Sequence, residues 1–164
     1  MITPVKLDDK TVKMLNSRLN DEYDAHYFYR QATNWCENIG FTKAAKYFSQ
    51  EAADELTHAE GLQKYMSDWN VTATLGGVKT PGSISGLAEL IQSAYEIEYD
   101  LYEQYEKISL EIFNMSDVCT FDFLKEYRTI QRKSVAEYAT LINKLMLIDY
   151  NDKNWLANFE QENF

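Results

Sequence analysis

Glu55 and His58 stand three residues apart in the stretch EAADELTHAE, residues 51–60. Residues at this spacing share a helix face, so a carboxylate and an imidazole would project side by side. Carboxylate oxygen and imidazole nitrogen are both ligands for divalent transition-metal ions. The pair can therefore form half of a metal site. A lone E-x-x-H is more often a charged patch on a solvated helix. The two readings part on whether other segments bring matching carboxylates.

Other segments do. In LNDEYDAHYFYRQATNW, Glu22 precedes Tyr29 by seven residues. That is nearly two helical turns, so the two share a stripe. Phe28 and Trp35 flank the stripe and point to partial burial. A buried carboxylate needs a partner, a proton or a metal. In AYEIEYDLY, Glu98 lies four residues after Ala94 and seven before Tyr105, with Glu96 nearby. In RTIQRKS, Gln131 follows Ile130. Two metal ions about 3.5–4 Å apart need carboxylates that bridge. Glu22, Glu55 and His58 would hold one ion; Glu55, bridging, and Glu98 would begin a second site. Gln131 carries no charge and suits a bound water or the orientation of oxygen. Iron(II) accepts such oxygen and imidazole ligands without thiolate.

Elements must exist to bring these residues together. The chain has 164 residues, 45% of them hydrophobic, and a net charge of −10. That length suffices for one domain with a buried core. The acidic balance disfavours nucleic acid, whose phosphates would be repelled, and favours cations. The apolar runs are too short to span a bilayer, so no membrane partner is expected. Lys6, Asp8, Asp9 and Lys10 interrupt any apolar leader, which makes the cytoplasm the expected compartment. Cys36 and Cys119 are too few for a disulfide framework or a zinc motif.

Between Pro4 and Pro81 the sequence is rich in helix formers. Caps and breakers predict helices at about 8–38, 42–69, 85–113, 120–148 and 153–162. Asp8 or Asp9 would cap the first and Gly40 end it; Thr42 and Ser85 would cap the second and third. The first and second helices are tightly joined, as are the third and fourth, which makes each pair antiparallel. The stretch NVTATLGGVKTPGS is loop chemistry. A helix of about 28 residues is roughly 42 Å long. About 13 extended residues reach roughly 43 to 47 Å. This loop can thus run the bundle's full length and set helices two and three parallel. The expected fold class is all-α: a four-helix bundle with one long crossover between helices two and three and a short C-terminal fifth helix.

The segments LNDEYDAHYFYRQATNWC and EAADELTHAEGLQKYM, the Glu98 segment, and TFDFLKEY with its following glutamine together resemble the four helices of a non-haem ferritin. Their order and spacing match over essentially the whole chain. The resemblance implies one ferritin-like domain over residues 1–164. It places Glu22, Glu55, His58, Glu98 and Gln131 on the family's ferroxidase-centre positions and Tyr29 beside that centre. It further implies iron(II) as substrate, oxygen or hydrogen peroxide as oxidant, a di-iron centre, and a ferric mineral inside a homo-oligomeric shell of 24 subunits.

The sequence also departs from the bacterial pattern. Ser134 stands where such ferritins commonly have a further glutamate. Ile130 and Lys133 occupy neighbouring acidic positions, and only Asp54 remains of that cluster. This argues against a third iron site and resembles the two-iron arrangement of animal heavy-chain ferritins. Where bacterioferritin has a second E-x-x-H, this chain reads QRKS, and no residue calls for haem. His26 is expected to be an ordinary surface, cavity or interface histidine. Phe121 and Leu124 fall on two of the family's acidic channel positions, which leaves the iron access route open. Trp155, Leu156 and Phe159 of the last helix are expected at a shell symmetry axis. The alternatives are a storage or structural shell with little ferroxidase activity, a DNA-protecting mini-ferritin and a di-iron oxygenase bundle.

Overall fold

Asp8 and Gly40 bound the first helix as their chemistry requires. A computed structural model describes residues 1–164. In it α1 runs over Asp9–Ile39, with the Asp8 carboxylate accepting the Lys10 N–H. Gly40 has a φ of 90°, the left-handed conformation that lets its N–H reach back to the Cys36 and Glu37 carbonyls. The other helices are α2 (Thr42–Asp68), α3 (Leu87–Asn114), α4 (Val118–Leu145) and α5 (Lys153–Asn163). α1 packs along α2, and α3 along α4.

Four boundaries differ from expectation, each for a local reason. Thr42 does not cap α2: it is already the first residue of the helix, Phe41 takes the cap position, and no side-chain cap bond forms there. The cap comes instead from α5, where one oxygen of Glu160 accepts the N–H groups of Lys43 (2.6 Å) and Ala44 (2.9 Å). Ser85 does not cap α3, which begins after an extended Gly86 and carries Glu89 in its first turn. There the Glu89 charge opposes the positive end of the helix dipole. α4 begins before Thr120, because the Asp117 carboxylate accepts both the Thr120 N–H (3.0 Å) and its hydroxyl (2.6 Å). It ends before 148, as Leu147 and Ile148 bond three residues back rather than four.

The crossover between α2 and α3 contains no helix. Asn16, Asn20 and Asp24, one helical turn apart on α1, accept the backbone N–H groups of Thr74, Gly76 and Lys79 in turn. Ascending numbers pair with ascending numbers, so the crossover runs in the same direction as α1. This leaves α3 parallel to α2 and antiparallel to α1. A side chain at Gly76 would put its Cβ 2.8 Å from the Asn20 oxygen and oblige that side chain to shift.

The apolar core runs through all four long helices. Phe159 of α5 joins it, 4% exposed, and Phe164 packs edge-on to Tyr47 and tilted against Phe48. Phe159, expected from sequence at a shell symmetry axis, thus packs into the subunit's own core. Trp155, 52% exposed, does face outward.

Candidate metal centre

Midway along the bundle, polar side chains interrupt the core. Glu22 from α1, Glu55 from α2, Glu98 from α3 and Gln131 from α4 are each at most 4% exposed. Their stripes explain this. Leu15, Leu19, Ala25 and Tyr29 surround Glu22 along the buried face of α1, and Ala94 and Leu101 flank Glu98 on α3. The carboxylates are carried inward by the apolar residues above and below them.

Ligand atoms of Glu22, Glu55 and His58 lie within 4.8 Å of one another. His58 Nδ1 is 3.0 Å from Glu55 Oε2 and 3.6 Å from Glu22 Oε2. Glu98 stands outside this tight group, and its Oε1 accepts the hydroxyl of Tyr29. The structure thus brings Glu22, Glu55 and His58 together and sets Glu98 and Gln131 as buried polar groups on the remaining two helices. His26 takes no part; its ring nitrogen meets the Ala52 carbonyl of α2.

The electrostatics are those of carboxyl groups short of positive charge. Burial, then the charges of Glu22 and Glu98, push the Glu55 carboxyl well above the usual carboxylate range. Burial, against the help of the Tyr29 hydroxyl, raises Glu98 to about 8. Burial also pushes Glu22 up, but its polar neighbours His58 and Glu55 and the His58 charge overcome this and leave it below its ordinary value. For His58, burial opposes the charged ring, and the nearby Glu22, Glu98 and Asp54 outweigh it, so its pKa rises.

Three buried oxygens find no donor: Glu22 Oε2, Glu98 Oε2 and Gln131 Oε1. Unpaired buried acceptors are costly, and a cation held by Glu22, Glu55 and His58 would satisfy the one on Glu22. The donor set is all oxygen plus one imidazole, which fits an ion such as iron(II).

Sequence reasoning did not assign Tyr105 or Tyr127 to the site. Tyr105 donates to Glu22 Oε1. Tyr127 stacks on Tyr105, with centroids 5.2 Å apart, and donates to the His58 carbonyl at 2.9 Å. Tyr29, which shares the stripe of Glu22, bonds not to Glu22 but to Glu98. The available signal was a repeat: glutamate with tyrosine seven residues on occurs at Glu22–Tyr29 and again at Glu98–Tyr105.

A bundle of this topology, with one long crossover and a carboxylate–imidazole cluster at mid-height, defines the ferritin-like class. The family profile described as a ferritin-like domain matches residues 12–148, and the chain belongs to the ferritin family. It is 27% identical over 148 residues to a probable bacterial non-heme ferritin-like protein of Haemophilus influenzae, covering 90% of each chain. It is 28% identical over 142 residues to the bacterial non-heme ferritin of Escherichia coli, covering 86% of each. Among solved structures, an open pore ferritin from Archaeoglobus fulgidus shares the fold, with a TM-score of 0.89 at 23% identity and 95% of each chain covered. No helix is long and apolar enough to cross a membrane.

Proposed function

We propose that this protein stores iron: it takes iron(II) as substrate, oxidises it at the Glu22–Glu55–His58–Glu98 centre, and deposits ferric mineral in a shell of 24 copies. The reading is carried by the buried cluster of carboxyl groups and His58, whose leftover oxygens lack donors. Glu22, Glu55 and His58 hold the first iron. Glu55 bridges to the second, which Glu98 completes, and Gln131 orients a water or the oxidant. Each iron(II) gives up one electron, so a pair supplies the two that convert dioxygen, with two protons, to hydrogen peroxide. The protein's part is to hold both ions side by side, so that the pair reacts together. The same chemistry suits the cytoplasm, where iron(II) is available.

Anaerobic loading with iron(II), then rapid mixing with oxygen, tests the proposal. Rapid oxidation is expected in the wild type and its loss in Glu55→Ala, with sedimentation showing the same assembly for both. Equal initial rates in the two proteins would refute the assignment. A 12-subunit particle would instead favour the mini-ferritin alternative.

A further inference from the structure

Tyr29 and Tyr105 form a crossed pair. Each lies seven residues after a site carboxylate on its own helix, and each donates its hydroxyl to the carboxylate on the other. The geometry follows from helix direction. Side chains on a helix lean towards its N-terminus. α1 and α3 are antiparallel, so tyrosines two turns beyond Glu22 and Glu98 lean back over the site from opposite ends.

We infer that Tyr105 is a positioning residue for the first metal ion: by occupying Glu22 Oε1, it dedicates Oε2 to the ion. The inference rests on the centre proposed above. The Tyr105 ring is fully buried and stacked on Tyr127, and Tyr127 is itself tied to the His58 backbone. Its hydroxyl is therefore held at Glu22. The oxygen it leaves over is the one that faces His58 Nδ1 at 3.6 Å and has no donor. Tyr29 does the same for Glu98, whose Oε2 is likewise left without a donor. The two tyrosines thus divide the centre: Tyr105 governs the first ion and Tyr29 the second.

The test is an anaerobic cobalt(II) titration of the assembled protein, followed by calorimetry and visible absorbance. Tyr105→Phe keeps the ring and removes one oxygen. It is expected to weaken the tighter cobalt ion by about tenfold or more and leave the weaker one unchanged. Tyr29→Phe is expected to do the reverse. In crystals of cobalt-loaded Tyr105→Phe, Glu22 should bind through both oxygens, and in the wild type through one. A Tyr105→Phe isotherm that overlays the wild type, or equal weakening of both ions, would overturn the inference. Should that variant not assemble, Tyr29→Phe alone decides. There Tyr105 is the one tyrosine still bonded to a ligand carboxylate, so the first cobalt equivalent must perturb the near-ultraviolet tyrosine spectrum, and a flat difference spectrum overturns the inference. If the wild type binds fewer than two ions, the proposed centre itself fails. If it binds two and Tyr105→Phe changes nothing, only this inference does.

Discussion

Glu160 on α5 caps α2 at Ala44, with the carboxylate oxygen 2.9 Å from the amide nitrogen and a further bond to Lys43. The last helix thereby finishes the second, across more than a hundred residues of chain. Glu160 is 1% exposed, so its removal leaves two amides unsatisfied. Glu160→Ala is expected to cost about 2 kcal/mol, and Glu160→Gln about half of that. Calorimetric melting measures the loss, and hydrogen exchange at the Lys43 and Ala44 amides localises it. Wild-type protection at those amides in Glu160→Ala would contradict the cap.

Gly61 lies mid-helix on α2, where glycine costs about 1 kcal/mol relative to alanine. A Cβ there would fall 2.5 Å from the Tyr127 hydroxyl. Gly61→Ala should therefore gain helix propensity but displace Tyr127 from the His58 carbonyl. We expect stability within about 1 kcal/mol of wild type and iron oxidation slower by about tenfold or more. Adding Tyr127→Phe removes the clash and should bring the rate to that of Tyr127→Phe alone. A Gly61→Ala rate equal to wild type would show the contact to be dispensable.

Proton release should accompany metal binding. Glu98 is raised to about 8, and burial pushes Glu55 in the same direction, so protons compete with metal at this centre. A divalent ion expels them, and affinity should climb as pH rises towards 8. Titrating zinc(II) in buffers of different ionisation enthalpy at pH 7 should reveal release of about one proton or more, and less in Glu98→Gln. The stability sign follows. An acid whose folded pKa is raised favours the folded state at low pH and loses that contribution as pH rises through the folded value. Glu51, raised to about 7 mainly by burial, adds to the trend. The metal-free protein should melt at lower temperature at pH 8.5 than at pH 6. Buffer-independent heats and a flat melting profile would count against these assignments.

The two ions should fill in order. Glu22, Glu55 and His58 are already clustered, whereas Glu98 stands apart on Tyr29 and Ser134 brings no charge. We expect the second iron to bind at least about tenfold more weakly, a difference of about 1.4 kcal/mol. Ser134→Glu should narrow that gap, provided that Lys133 does not capture the new carboxylate. Diffraction at increasing anaerobic iron measures both occupancies. Equal filling at every level in the wild type would show that ligand count does not rank the sites.

The bundle and the identities of its buried carboxylates were legible because they depend on local patterns. Helical periodicity put Glu22, Glu55 and Glu98 on apolar faces, and loop lengths alone made the crossover reach. His58 declared itself by lying three residues from Glu55. Caps, breakers and periodicity, all local, sufficed to indicate five helices and acid in their shared interior. What only the tertiary structure decided are pairings between residues distant in sequence: Tyr29 with Glu98 at a separation of 69, Tyr105 with Glu22 at 83, Ala44 with Glu160 at 116. Thr42 and Ser85 were sound caps by local rules, but Phe41 and an extended Gly86 took the cap positions. A tyrosine on a stripe shows only that its hydroxyl is buried. Which carboxylate it serves depends on the direction and register of the facing helix, and packing sets those after the helices exist.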